Sequence, residues 1–382
     1  MNGGITMKKI TVLIMVFMLC VSMIGCNKTS TTENVETGKN KEQEENTEKK
    51  TEDKVLGENV TEESEKNKED SSSNGITISD IIKDNKTVSL GEYFSGAITK
   101  DGSLYMWGWN KHGQLGDGTT VDSTKPKKIL ENVVSVSLGD CHSGAITKDG
   151  SLYMWGSNED GQLGDGTTVD STKPKKILEN VETVSLGHYL SGAITKDGSL
   201  YMWGANWQGR LGDGTTGDSS SKPKRILENV EMVSLESDYS NFSGAITKDG
   251  SLYMWGGNEY GQLGDGTTAD STKPKKILEN VEMVSLQGNH SGAITKNGSL
   301  YMWGYNSDGR LGDGTTTYST EPKKIMENVV LVSLGGKHSG AITKDGSLYM
   351  WGGNKYGKLG DGTTTNSSVP IKIMDNIMLP TN

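Results

Sequence analysis

Six aspartates stand at one place in a recurring loop, LGDGTT: Asp117, Asp165, Asp213, Asp265, Asp313 and Asp361. Carboxylates beside threonine hydroxyls are oxygen donors that suit a hard cation such as calcium. The spacing, however, lacks the alternating carboxylates of a calcium loop, and Asp and Gly in a tight loop serve to hold the backbone. The same loop is glycine-rich without the Lys-Ser/Thr ending of a phosphate-binding loop. Three histidines, His142, His290 and His338, precede SGAIT at one equivalent position, and His112 and His188 fall elsewhere in the repeats. A nucleophile needs a base within hydrogen-bond reach and a group that orients it, and no single repeat offers that set. The expectation is a non-catalytic protein with no metal and no cofactor.

The three cysteines carry a different chemistry. The segment MKKITVLIMVFMLCVSMIGC, residues 7–26, has two positive charges, an apolar run short for a membrane span and a small residue before Cys26. Residues 1–25 are expected to be a signal peptide. The ending MIGC resembles the lipobox of bacterial lipoproteins, which implies that Cys26 is lipidated and becomes the new N-terminus. Met23 departs from the leucine usual three places before that cysteine, and a plain secretory signal or an uncleaved anchor is the alternative. With Cys20 in the signal and Cys26 lipidated, no disulfide framework is expected, and Cys141 is read as a surface-loop thiol.

Residues 26–75 are polar and charged, without aromatics and with few aliphatics. Such a segment buries too little apolar area to offset its ordering entropy, so it is read as a disordered tether with a root-mean-square span of roughly 40 Å. The whole chain of 382 residues carries a net charge of −10, which argues against nucleic acid as a partner, because phosphate binding needs clustered basic charge.

Beyond these loops, residues 76–382 are repetitive throughout. The tryptophan of YMWG falls at Trp107, Trp155, Trp203, Trp255, Trp303 and Trp351, mostly 48 residues apart. A period of that length marks units that bury their apolar faces against neighbours. Within one unit four short strands are expected: VVSVSL, SGAITK, SLYMWG and KPKKIL. KDGS between the second and third reads as a tight primed hairpin turn. Four-stranded antiparallel units repeated around an axis make an all-β propeller. Six blades are expected in a ring closed by pairing between the chain ends, with seven blades the alternative.

The motif SGAITKDGSLYMWGxNxxGQLGDGTT resembles the repeat of the regulator of chromosome condensation family. The likeness runs from about Asp80 to Asn376 and recurs six times in register. It implies a propeller, usually of seven blades in that family, whereas this sequence shows six tryptophan-glycine cores.

In an antiparallel blade the loops after the first and third strands share one face. There the copies differ: GEYF, GDCH, GHYL, ESDYSNF, QGNH and GGKH before SGAIT, and WNKH, SNED, ANWQ, GNEY, YNSD and GNKY after tryptophan-glycine. The opposite face reads KDGS or KNGS throughout. Every aromatic outside the YMW cores and the signal lies in the variable loops, including Tyr93, Phe94 and Tyr318. Aromatic side chains on a polar rim suit binding, since they give large contact area at small entropy cost. The candidate partner-binding residues are Trp109, Tyr189, Leu190, Trp207, Tyr239, Phe242, Tyr260, Tyr305 and Tyr356, centred on blades 3 and 4.

Three function classes follow. The first is an interaction module, lipid-anchored on the extracytoplasmic face of a bacterial membrane, that binds a protein. The second binds cell-wall glycan, with Trp109, Trp207 and Tyr305 in separate shallow pockets. The third, implied by the resemblance alone, is nucleotide exchange on a GTPase, which an exported chain would not meet and for which the three-residue insertion in ESDYSNF is too short. A β-lactamase-inhibitor-like role, also implied only by resemblance to secreted relatives, is one form of the first class.

Overall fold

The computed structural model describes residues 87–235 and 241–379. The signal, Cys26, the tether and Tyr239 lie outside the described residues. The described chain forms six antiparallel sheets, each of four strands consecutive in sequence. In blade 2 these are Val133–Leu138, His142–Thr147, Leu152–Gly156 and Ser171–Leu178. Blade 1 occupies 88–130, and blades 3 to 6 occupy 181–227, 230–278, 281–326 and 329–374. First strands of successive blades meet one another, which sets them at the axis, and the lysine-rich fourth strands form the rim.

Turn chemistry explains the spacing. The hairpin between the second and third strands is closed by Gly150 N–H donating to the Thr147 carbonyl at 2.7 Å, with positive φ at Gly150 and at neither Lys148 nor Asp149. This corrects the expected primed turn, which needs positive φ at the first central residue or at both. Asp149 instead gathers the loop, its Oδ1 accepting from the Thr147 hydroxyl at 2.6 Å and from Ser151 N–H at 3.1 Å. Between blades, Asn132, Asn180, Asn229, Asn280 and Asn328 take φ of 56–59°, a left-handed conformation that asparagine tolerates better than other side chains.

Each interior boundary repeats one apolar joint. Blade 1 presents Phe94, Leu104, Met106 and Leu115; blade 2 meets them with Val133, Val136, Leu138, Ala145 and Trp155. Four further clusters repeat this joint between blades 2 and 3, 3 and 4, 4 and 5, and 5 and 6. The indole N–H of Trp155 donates to the Gln114 carbonyl at 2.9 Å, and Trp203, Trp255, Trp303 and Trp351 bond the preceding blade in the same way. Trp155 is 0 % exposed, so that bond replaces water the indole would otherwise lose without compensation.

No such joint forms between blade 6 and blade 1 among the described residues. Each sheet is built from consecutive strands, so the expected pairing of the two chain ends is absent from the described strands. Val88 and Leu90 are 41 % and 40 % exposed, where their equivalents Val136 and Leu138 are 1 % and 8 % exposed. Among the described residues the six blades are therefore an array with a seam.

Candidate interaction face

The variable loops owe their shape to an asparagine that follows each tryptophan-glycine. Asn158 Nδ2 donates to the carbonyls of Thr167 and Val169 at 3.1 Å each and to Asp165 Oδ1 at 3.2 Å, while its Oδ1 accepts from Leu163 N–H at 2.8 Å. Asp165 then takes Thr167 N–H at 3.0 Å and Lys175 Nζ at 2.6 Å. Burial works to raise the Asp165 pKa, but the Lys175 ammonium and the Thr167 donors outweigh it and hold the carboxylate at about 2. The LGDGTT aspartates thus fasten their own loop, the structural role expected from the sequence.

Of the histidines before SGAIT, His142 and His290 are buried packing residues and His338, on blade 6, is half-buried. His142 is buried at the blade 2–3 boundary, its Nε2 3.0 Å from Ser191 Oγ. Ser191 Oγ–H donates to the Gln162 carbonyl at 2.8 Å, so its oxygen accepts from the imidazole and is not activated by it. Burial, with His188 nearby, lowers the His142 pKa to about 3.

Leu190 and Phe242, both expected in the binding patch, occupy the same column as His142. Each is 1 % exposed and sits in a boundary cluster. As first residues of second strands they point into the joint, and they are removed from the candidate site. Cys141 is also corrected: it is 1 % exposed, enclosed immediately before the second strand of blade 2, and is not a surface thiol.

The remaining aromatics assemble into three clusters. On blade 1, Tyr93 and Trp109 meet edge-to-face at 5.9 Å and Trp109 and His112 at 5.5 Å, with His112 Nδ1 3.1 Å from Asp170 of blade 2. The Asp170 carboxylate raises the His112 pKa against the opposing effect of burial. On blade 3, Tyr189 and Trp207 meet at 5.9 Å, and His188 packs on Tyr189 at 4.2 Å while pairing with Asp140 of blade 2. Arg210 lies 4.5 Å from the Trp207 ring centre. Across blades 4 and 5, Tyr260 meets Tyr305 at 4.8 Å and Tyr318 at 5.5 Å, and Arg310 stacks 4.7 Å over Tyr305. Tyr356 stands apart, 80 % exposed beneath Lys355. The patch expected at blades 3 and 4 therefore divides, Tyr260 joining blade 5.

Two cations that brace these rings were missed from sequence. Arg210 and Arg310 replace the glutamine of the G-x-LG loop in blades 3 and 5. Arg310 bonds the carbonyls of Gly288 and Gly336 at 3.1 and 2.5 Å and Asp308 at 2.6 Å, so its guanidinium is fixed before any partner arrives. The signal was the exchange of Gln for Arg at one column in the two blades whose loops carry Trp207 and Tyr305.

The model of the RCC1-like domain family matches residues 132–380, and two models of the regulator of chromosome condensation repeat match 101–146 and 86–114. The chain belongs to the RCC1-like domain family. Among solved structures, human WBSCR16 is 24 % identical with a TM-score of 0.61, covering 75 % of this chain and 81 % of that one. Prp20p of Saccharomyces cerevisiae, described in a study of its binding to Gsp1p and histones, is 22 % identical with a TM-score of 0.61, covering 75 % and 76 %. These likenesses show the fold. Ras guanine nucleotide exchange factor C of Dictyostelium discoideum is 43 % identical over 49 residues, which is 13 % of this chain but 3 % of that protein.

Proposed function

We propose that this RCC1-like propeller is a non-catalytic module, tethered to the extracytoplasmic face of a bacterial membrane through lipidated Cys26, that captures a protein partner on its variable loop face. One observation carries the reading: partly exposed aromatic rings gather on the face where the copies differ, each cluster braced by a charged residue. Tyr and Trp held by neighbouring rings and cations lose little further freedom on binding, the condition for interface hot spots. The edge-to-face packing of Trp109, Trp207 and Tyr305 supports protein over glycan, which would stack on separate open ring faces.

The test is capture of partners from cell-surface extract by the immobilised full chain. Trp207→Ala combined with Tyr305→Ala should cut capture at least tenfold with the melting temperature little changed. Equal capture by both forms would remove the aromatic face from the reading, and retention by purified cell wall instead would transfer it to glycan. The anchor is tested separately: Cys26→Ser should move the chain out of the membrane fraction, and continued membrane retention would refute lipidation at that residue.

A further inference from the structure

The seam between blade 6 and blade 1 presents two apolar faces whose covering is known from the five interior joints. On blade 6, Ile342, Leu348 and Met350 are half-buried where the equivalents Ile146, Leu152 and Met154 are 2 %, 0 % and 0 % exposed. On blade 1, Val88, Leu90 and Trp107 are the counterparts of the residues that seal every interior joint, and Trp107 is the one core tryptophan not fully buried. Trp107 makes no indole hydrogen bond among the described residues. A Cβ placed on Gly116 would touch Trp155 of the next blade at 2.7 Å, and one on Gly360, at the same place in blade 6, would meet nothing beyond its own blade's Ile373.

The chain also leaves blade 6 along the path that starts a further blade. Asn376 takes φ 60°, and Ile377 N–H donates to the Gly346 carbonyl at 2.9 Å. At the interior exits Asn132 and Val133 do the same, Val133 N–H reaching the Gly102 carbonyl at 2.8 Å. What covers a face of this kind is seen five times in the molecule: the first three strands of a neighbouring blade, whose Val, Ala and Trp side chains lie against the Leu and Met face.

We propose that the seam is a second docking site, which takes a β-hairpin of the SGAIT-turn-LYMWG type from a different protein, tryptophan side toward Met350 and methionine side toward Trp107. Such a hairpin supplies the Ala and Trp of a joint toward blade 6 and the Ile, Leu and Met of a joint toward blade 1. This uses apolar complementarity already built into the terminal blades, a form of strand donation to an incomplete β-structure. The site is separate from the loop face, so loss of either leaves the other.

The probe is a labelled synthetic hairpin with the sequence of residues 290–304, HSGAITKNGSLYMWG, titrated into the full chain. Expected are saturable one-to-one binding, a fall of severalfold in acrylamide quenching of the Trp107 emission, read against a Trp107→Phe control, and at least a tenfold loss of affinity in Leu90→Glu. Leu90 is exposed, so that change leaves the fold intact; Val88→Asp gives an independent second variant. Tyr356→Ala should leave hairpin binding unchanged. Absence of binding, or binding indifferent to Leu90→Glu and Val88→Asp, overturns the proposal. So does a Trp107 already shielded without peptide, which would assign the seam to this chain's own residues, and so does a dimer dispersed by Leu90→Glu, which would assign it to a second copy.

Discussion

His142 and His290 are held neutral inside a joint, and that makes the fold sensitive to mild acid. Burial lowers both to about 3, against an ordinary value of 6.5. A group whose folded pKa is depressed contributes stability above its unfolded pKa and loses it as pH falls toward the folded one. Stability should therefore decline from pH 6.5 downward, by roughly 1.5 kcal/mol per histidine by pH 5. Phe and Leu already fill this column at Phe94, Leu190 and Phe242, so His142→Phe with His290→Leu should reduce the fall in melting temperature over pH 6.5–5, leaving the share of His338, which burial lowers to about 4. An unchanged slope in the double variant would show that the histidines are not its source. Asp117 and Asp165, held at about 2, add a separate loss between about pH 4 and 2 that these variants should keep. The same column shows why Leu190 and Phe242 were misplaced from sequence. They border the variable loop in the text, but strand alternation turns them inward, a fact visible only once the column is read as Phe, His, Leu, Phe, His, His.

At the scale of the strand and its turn, the glycine of each tryptophan-glycine pair is fixed by two conditions. Gly156 has φ 103°, and a Cβ there would stand 2.6 Å from the Cys141 carbonyl oxygen and 2.8 Å from His142 Cα. Gly156→Ala should cost at least about 2 kcal/mol, from a conformation alanine resists and a clash with backbone that cannot yield. Gly217 has φ 90° and nothing within 4 Å, so Gly217→Ala isolates the conformational part and should cost less. Denaturant midpoints of the two variants measure the difference, and equal losses would assign the whole effect to φ. The existence and order of the strands were legible because the four runs recur in register and the Gly and Asn positions punctuate them. The turn type was not, because Asp-Gly serves either a primed turn or a type I turn followed by a left-handed glycine, and the Thr147 and Ser151 partners of Asp149 decide between them only in three dimensions.

For the molecule as a whole, the tryptophans should not be equal. Trp203 is 0 % exposed in an interior joint, and Trp203→Ala should cost about 3–5 kcal/mol. Trp107 faces the seam, and Trp107→Ala should cost less than half of that, by the denaturation midpoints of the two full chains; matching losses would mean the seam is sealed. Six units and their joints could be read from the spacing of YMWG, but closure could not, since the angle between blades follows from packing along the whole joint and no local spacing encodes it. Nor could the clusters that join Tyr260 to Tyr305 and His112 to Asp170, which arise between blades. The asparagine lock has a last consequence. Because Asn158 and its counterparts hold each loop through backbone carbonyls and the LGDGTT aspartate, the residues beside them can be exchanged without moving the chain. Each blade then behaves as one letter of a six-letter word, and new specificity can be written by trading letters between blades while the spelling rules of the fold stay untouched.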